Sequence, residues 1–230
     1  LENFKNFDVI INCIGVTKHK KDINDLNKTY FLNIQLPLNL DLFSQKNSIK
    51  VIHISSDCIF NGIKGNFKEK DIRLAKDIYG QSKYIAELIL KNSLVIRSST
   101  IGHEIFYKHG LLEWFLYKKK FCDGYKNAYF NGLTTLELAK IIYKYFIRKK
   151  YFPKIILNVG STKISKFDLL QKISKIYNKK IDIKESCSLK IDRSLNISKF
   201  INLTEYNPKS WYIMIKESKI FYEKCLKIKL

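Results

Sequence analysis

Tyr79-Gly80-Gln81-Ser82-Lys83 is the stretch of this 230-residue chain best equipped for chemistry. A tyrosine and a lysine four positions apart share one face of a helix. A short way upstream, the apolar run VIHISSDCIF (51–60) ends in hydroxyl and carboxyl residues. A phenol, a cation that lowers the phenol's pKa and a serine hydroxyl able to hold a carbonyl oxygen together make a proton-donating site. Such a site suits hydride reduction of a ketone, or its reverse. Tyr and Lys are abundant in this composition, so the pair alone recurs by chance. Its meaning depends on the elements around it.

Those elements alternate through the first half. DVIINCIG (8–15) reads as a buried strand. Residues 26–45 read as a helix, with Leu26, Tyr30, Ile34, Leu38 and Leu42 at helical spacing and Pro37 as an interruption or kink. KVIHISSDCIF is a second strand, Asp77 to Asn92 a helix carrying the Tyr/Lys pair, and SLVIRSS (93–99) a third strand. This alternation predicts an α/β fold, a parallel sheet covered by helices on both faces. Ligands of such sheets sit at the carboxyl ends of the strands, where Ser55-Ser56-Asp57 and Ser98-Ser99-Thr100 fall. The second half is mixed. It holds helices over 111–120, 134–150 (N-cap Thr134, with Glu137 completing a capping box), 164–178 (from Ser165) and from near Pro208, and strands over 155–161 and 180–185. It reads as a smaller lobe folded onto the sheet edge.

The bulk properties exclude several classes. The net charge of +21 comes almost wholly from lysine, the only arginines being Arg73, Arg97, Arg148 and Arg193. Lysine is the weaker residue for bidentate phosphate and base-edge contacts, so the charge reads as solvated surface and no nucleic-acid partner is expected. The five cysteines (Cys13, Cys58, Cys122, Cys187, Cys225) include no CxxC pair, which fits a reduced, cytoplasmic chain. His19, His53, His103 and His109 form no ligand cluster, so no metal is expected. No apolar run is long enough to span a bilayer, and no membrane partner is expected. Glu87 and Glu104 have no evident partner in the sequence and carry no acid–base assignment. Trp114 and Trp211 read as packing residues, although Trp114, following the third strand, is placed to border a substrate.

With those residues in view, the chain resembles the extended short-chain dehydrogenase/reductase superfamily, in its dTDP-4-dehydrorhamnose reductase-like, sugar-nucleotide-binding branch. The blocks VIINCIGVT (9–17), HISSDCIFNGIKGNFKEKD (53–71), DIYGQSKYIAE (77–87) and VIRSSTIGHE (95–104) carry the likeness, joined by NGLTTLELAKII (131–142) and DRSLNISKF (192–200). The resemblance implies a Rossmann-like doubly wound sheet over residues 1–105, holding part of an NAD(P) site and the Tyr/Lys pair. Residues 106–230 would be mainly a small α/β substrate lobe with some return to the core. It implies Tyr79 as general acid, Lys83 as the cation that holds the nicotinamide ribose and favours the phenolate, and Ser56 as hydrogen-bond partner of the substrate oxygen. Asn12, Cys13, Ile14 and Gly15 would line the adenine-ribose side of the cofactor, Ser98 would face its nicotinamide and Ser55 would also meet it, while Asp57 and Trp114 would meet the substrate. The implied cofactor is NADPH or NADH, the partner a nucleotide sugar, and a homodimer one possible assembly.

Two departures stand out. Cys58 occupies a position where that branch usually carries an aromatic; it reads as packing. The glycine-rich strand–loop–helix that receives a cofactor pyrophosphate has no counterpart among the nine scattered glycines. That segment would take about 50 residues, at ~30 per βαβ unit. The expectation is a fragment, or a degraded copy, that does not turn over by itself. Within the resemblance three readings stay open: a reductase of a nucleotide-linked 4-keto-6-deoxy sugar, an epimerase or dehydratase of a nucleotide sugar, and a non-catalytic regulatory relative. A dehydratase would place an Asp-Glu pair after the strand-end hydroxyl, where this chain has Asp57-Cys58.

Overall fold

Strand β1 (Val9–Asn12) begins the sheet that positions the site. The computed structural model describes residues 2–17, 21–73, 75–105, 108–149 and 152–226. His19, Lys150 at the end of one expected helix, and residue 106 at the expected domain boundary lie outside the described residues. After β1 come α1 (Leu26–Tyr30), a π-helical turn (Phe31–Gln35) and α2 (Leu36–Asn47) as one continuous rod. Pro37 does not interrupt this rod. It sits in the first turn of α2, where a missing N–H is tolerated, and the register slips to i−5 just before it, Leu36 N–H donating to the Phe31 carbonyl. β2 (Lys50–Ser56) leads into a short 3₁₀ turn (Asp57–Ile59), followed by α3 (Ile78–Ile89), β3 (Leu94–Ser98) and β4 (Thr100–Ile101).

The rod is turned differently from the sequence expectation. Leu26, Tyr30 and Leu42 of the anticipated apolar stripe are exposed, while Thr29, Asn33, Pro37, Leu40, Asp41, Phe43 and Ser44 are buried. Polar contacts decide the orientation. Asp41, buried between α2 and the start of β3, accepts hydrogen bonds from Lys91 N (3.1 Å), Asn92 N (2.9 Å), Asn92 Nδ2 (3.1 Å) and Ser93 Oγ (2.6 Å). Buried polar groups require such partners, and these can be reached only from this face.

The second half supplies α4 (Leu111–Tyr117), β5 (Phe121–Tyr125), β6 (Ala128–Phe130), β7 (Leu133–Thr134), α5 (Thr135–Ile142) with a π-helical extension (Tyr143–Ile147), and β8 (Ile156–Asn158). It continues with β9 (Ile164–Ser165), α6 (Lys166–Tyr177), β10 (Asp182–Ser186), β11 (Ile191–Asp192), α7 (Ser198–Thr204) and α8 (Trp211–Phe221). The main sheet is all parallel in the order β1-β2-β3-β8, so one strand of the second half returns to it. One apolar core runs through both halves: Ile52, Leu94 and Ile96 of the sheet join Phe115, Ile141, Phe146, Leu169, Phe200 and Met214. Thr134 and Ser165 cap α5 and α6, each accepting the N–H three residues on. Glu137 completes no box, because its carboxylate is taken by Tyr206 (3.2 Å) and Lys209 (3.0 Å). Trp211 is core, its indole N–H donating to the Thr162 carbonyl at 2.8 Å.

Candidate active site

The carboxyl ends of β2 and β3 and the first turns of α3 meet at a cavity of about 750 Å³. Asp77 starts α3 by accepting the Gly80 N–H at 2.7 Å, which puts Tyr79 in the first turn and Lys83 one turn further on. Gly80 lets that first turn press against the end of β2. A Cβ there would meet the Cys58 carbonyl and come within 2.6 Å of the Ala75 Cβ. Ser56 ends β2 and caps the 3₁₀ turn: its Oγ accepts the Cys58 N–H at 3.1 Å and donates to Asp57 Oδ1 at 3.2 Å. The Tyr79 phenol hydrogen-bonds the Ser56 side chain. Phenol and serine hydroxyl therefore stand together, as the spacing predicted.

Electrostatics give the two catalytic candidates different states. Burial is the main influence on the Tyr79 phenol and raises its pKa, the Cys58 thiol adds to the rise, and the Ser56 hydrogen bond opposes it. The expected lowering of Tyr79 by Lys83 is absent; the Lys83 ammonium is instead directed at the Ile54 carbonyl, 3.1 Å away. Tyr79 is thus held as a neutral acid. Lys83 is pushed down to about 8 by burial, against the opposing pull of Cys13 and Glu87. His53 behind it is held well below the usual histidine range, first by burial and then by the Lys83 charge.

Of the residues expected at the site, Cys13, Gly15, Ser55, Ser56, Asp57, Tyr79, Lys83 and Ser98 line the cavity. Asn12 and Ile14 do not. Asn12 is buried and ties β1 to β2 through His53 Nδ1 (3.1 Å), while accepting the Ile14 N–H (3.0 Å). The Ile14 side chain is exposed. Trp114 is not in the lining either; its ring packs on the core and lies under Lys118. Ser55 faces the cavity, but its hydroxyl is committed to Glu87 Oε1 at 2.6 Å.

That bond belongs to a network the sequence did not disclose. Glu87, fully buried one turn after Lys83, accepts three hydrogen bonds from the Arg97 guanidinium (2.7–3.1 Å). Arg97, also fully buried, reaches the Glu69 carbonyl at 3.1 Å and lies over the Phe60 ring. Lys83 on Ile54 and Glu87 on Ser55 are thus two adjacent rungs fastening α3 to β2. Glu104, likewise assigned no partner from sequence, accepts the N–H groups of His109 (2.6 Å) and Gly110 (2.9 Å). Asn33 is a second omission. Its amide receives the Val16 N–H (2.8 Å) and donates to the Val16 carbonyl (3.1 Å) and Ser82 Oγ (2.9 Å), fixing the 13–17 loop against α3. The available signal was spacing: Glu87 follows Lys83 by four, and Asn33 follows Thr29 by four, on the faces that turn inward.

The loop after β1 has the form of a cradle. A Cβ at Gly15 would lie 2.9 Å from Asn33 Oδ1 and 3.2 Å from Lys83 Nζ, so glycine keeps open the space beside the ammonium. The described residues hold no cluster of metal-ligating side chains, and none of the described helices is long and apolar enough to cross a membrane.

Over 103 residues the chain is 34% identical to the spore coat polysaccharide biosynthesis protein SpsK of Bacillus subtilis (strain 168), a stretch covering 42% of this chain and 36% of that protein. The chain thus spans about a third of that relative's length. Among solved structures, the dTDP-4-dehydrorhamnose reductase of Bacillus anthracis str. Ames in complex with NADP superposes with TM-score 0.80 at 19% identity, over 95% of this chain and 82% of that one. A hypothetical dTDP-4-dehydrorhamnose reductase from Sulfolobus tokodaii gives TM-score 0.73 at 26% identity, over 89% and 77%. Residues 2–117, the half that carries the Tyr79/Lys83 site, match the RmlD substrate binding domain family, and the chain belongs to it.

Proposed function

We propose that this chain carries the proton-donating, carbonyl-holding half of a reductase for a nucleotide-linked 4-keto-6-deoxy sugar, serving deoxysugar or surface-polysaccharide synthesis in the cytoplasm. The observation that carries the reading is the protonated Tyr79 phenol, hydrogen-bonded to Ser56 at the strand end with the Lys83 ammonium one helical turn away. NADPH or NADH supplies the hydride when bound, and Gly15, Cys13, Lys83 and Ser98, which line the cavity together, are the residues that would hold it.

The chain's own residues do the rest. Ser56 orients the substrate carbonyl oxygen by a hydrogen bond, and Tyr79 gives that oxygen its proton as the carbonyl becomes an alcohol. The phenolate left on Tyr79 keeps the Ser56 hydrogen bond, the one influence that favours its charged form, and then recovers its proton from solvent. Among the three readings, the reductase is favoured by Asp57-Cys58 after Ser56, where paired acid–base carboxylates would serve a dehydratase.

The test is Tyr79→Phe in a full-length parent of this chain, assayed by loss of reduced-nicotinamide absorbance with a dTDP-4-keto-6-deoxy sugar. Turnover should fall by at least about 100-fold while dTDP affinity stays within about twofold. Turnover equal to that of the unmodified full-length protein would refute the mechanism.

A further inference from the structure

A second cation in the cavity wall, Arg193, has no counterion among the described residues. Leu189, Ile191 and Arg193 alternate along one extended segment and all face the cavity, as the two-residue period of a strand requires. Arg193 is held along its whole length. Its backbone N–H donates to the Tyr129 carbonyl at 3.1 Å. Its stem lies against Gly62 (φ 77°), where a Cβ would come within 3.1 Å of the Arg193 Cγ. Among the described residues the hydrogen-bond partner of its head is the Cys58 thiol, Nη1 to Sγ 3.6 Å, and sulfur is a weak acceptor. Arg193 Nε is buried without a hydrogen-bond partner, and the guanidinium makes no ion pair among the described residues. The neighbouring carboxylate, Asp192, is turned toward Lys163 (3.1 Å) and the Ser194 N–H (2.9 Å).

A guanidinium fixed in place and left unpaired is destabilising to the fold, and an incoming anion would relieve that cost. Its planar fork matches two oxygens of one phosphate or carboxylate. We propose that Arg193 anchors the anionic linker of the substrate, the diphosphate joining nucleoside to sugar; this rests on the nucleotide-sugar reading above. Cys58 links the anchor to the chemistry: its carbonyl packs on Gly80 beside Tyr79, and its thiol meets Arg193. In a nucleotide sugar the diphosphate leaves from the anomeric carbon, and the 4-carbonyl lies across the ring. An anion anchor one residue away from the proton donor's surroundings therefore selects which sugar carbon faces Tyr79.

The experiment measures binding of dTDP, UDP, thymidine and glucuronate to the chain and to its Arg193→Met and Arg193→Lys variants by ligand-observed NMR. Arg193→Met should weaken dTDP and UDP by about 10- to 100-fold and leave thymidine unchanged, with Arg193→Lys between. Equal losses for thymidine and dTDP, or no loss for dTDP, would overturn the proposal. A loss confined to glucuronate would overturn it too, by assigning Arg193 to a sugar carboxylate. The reductase reading fails separately: unchanged turnover on Tyr79→Phe in the full-length parent removes the reaction and leaves dTDP binding through Arg193 standing.

Discussion

Replacing Lys83 with methionine should stabilise this protein at neutral pH. Lys83 is 5% exposed, and burial pushes its ammonium down to about 8 from an ordinary value of 10.5. At ~1.4 kcal/mol per pKa unit, keeping it charged in the folded state costs about 3 kcal/mol at pH 7. Methionine keeps most of the volume and none of the charge. It also removes the 3.1 Å hydrogen bond to the Ile54 carbonyl, a loss of about 1 kcal/mol. The net gain is about 2 kcal/mol. The sign with pH follows from the folded value lying below the unfolded one. Between about 8 and 10.5 the unfolded chain binds more protons, so the unmodified protein gains stability as pH rises through that window. By pH 9.5 the cost of the charge falls to between about 1 and 2 kcal/mol, and the lead of the variant shrinks below about 1 kcal/mol. Cys13, whose thiol burial raises, faces Lys83 from the loop after β1, with His53 behind it and Glu87 on its own helix. Urea unfolding of both proteins at pH 7 and 9.5 measures the difference. Parallel pH slopes, or a variant less stable at pH 7, would refute the reasoning. The expected result marks Lys83 as a residue whose chemistry is bought with stability.

Glu87→Gln leaves Arg97 buried with its charge uncompensated and should cost about 3–5 kcal/mol in urea unfolding, whereas the double change Glu87→Met, Arg97→Met should recover most of that loss. Gly80→Ala should cost at least about 1–3 kcal/mol, because the added methyl meets the Cys58 carbonyl and the Ala75 side chain. The same substitution should move Tyr79 away from Ser56, which a crystal structure of the variant would show as a longer phenol–hydroxyl separation.

Local patterns in the sequence were enough to place the sheet strands, the α3 helix and the Tyr79–Ser56–Lys83 grouping, because each is signalled within a few residues: apolar runs, an Asp N-cap, a four-residue spacing. The orientation of the α1–α2 rod was not legible. Its apolar stripe argued for one face, and Asn33 and Asp41, whose partners lie 17 to 52 positions away, turned the other face inward. The Glu87–Arg97 pair escaped for the same reason, since strand β3 and helix α3 meet only after the sheet has formed. Trp114 was placed near the cavity by chain order, yet α4 carries it onto the core instead. Arg193 was counted only as charge, because nothing in DRSLNISKF announces that the loop around Gly62 will clamp it.

The outward turn of the α1–α2 rod has a colloidal consequence. Leu26, Tyr30, Phe31 and Leu42 face water, and Ile11 and Ile14 are exposed on and just beyond strand β1, which has no outer neighbour among the described residues. A greasy band beside an open row of main-chain donors and acceptors favours self-association. A net charge of +21 opposes it by repulsion between molecules. That repulsion reaches about 10 Å at 0.1 M salt and only about 3 Å at 1 M. Dispersal of this chain is therefore held by charge, and concentrated salt removes the restraint while strengthening the attraction it held in check.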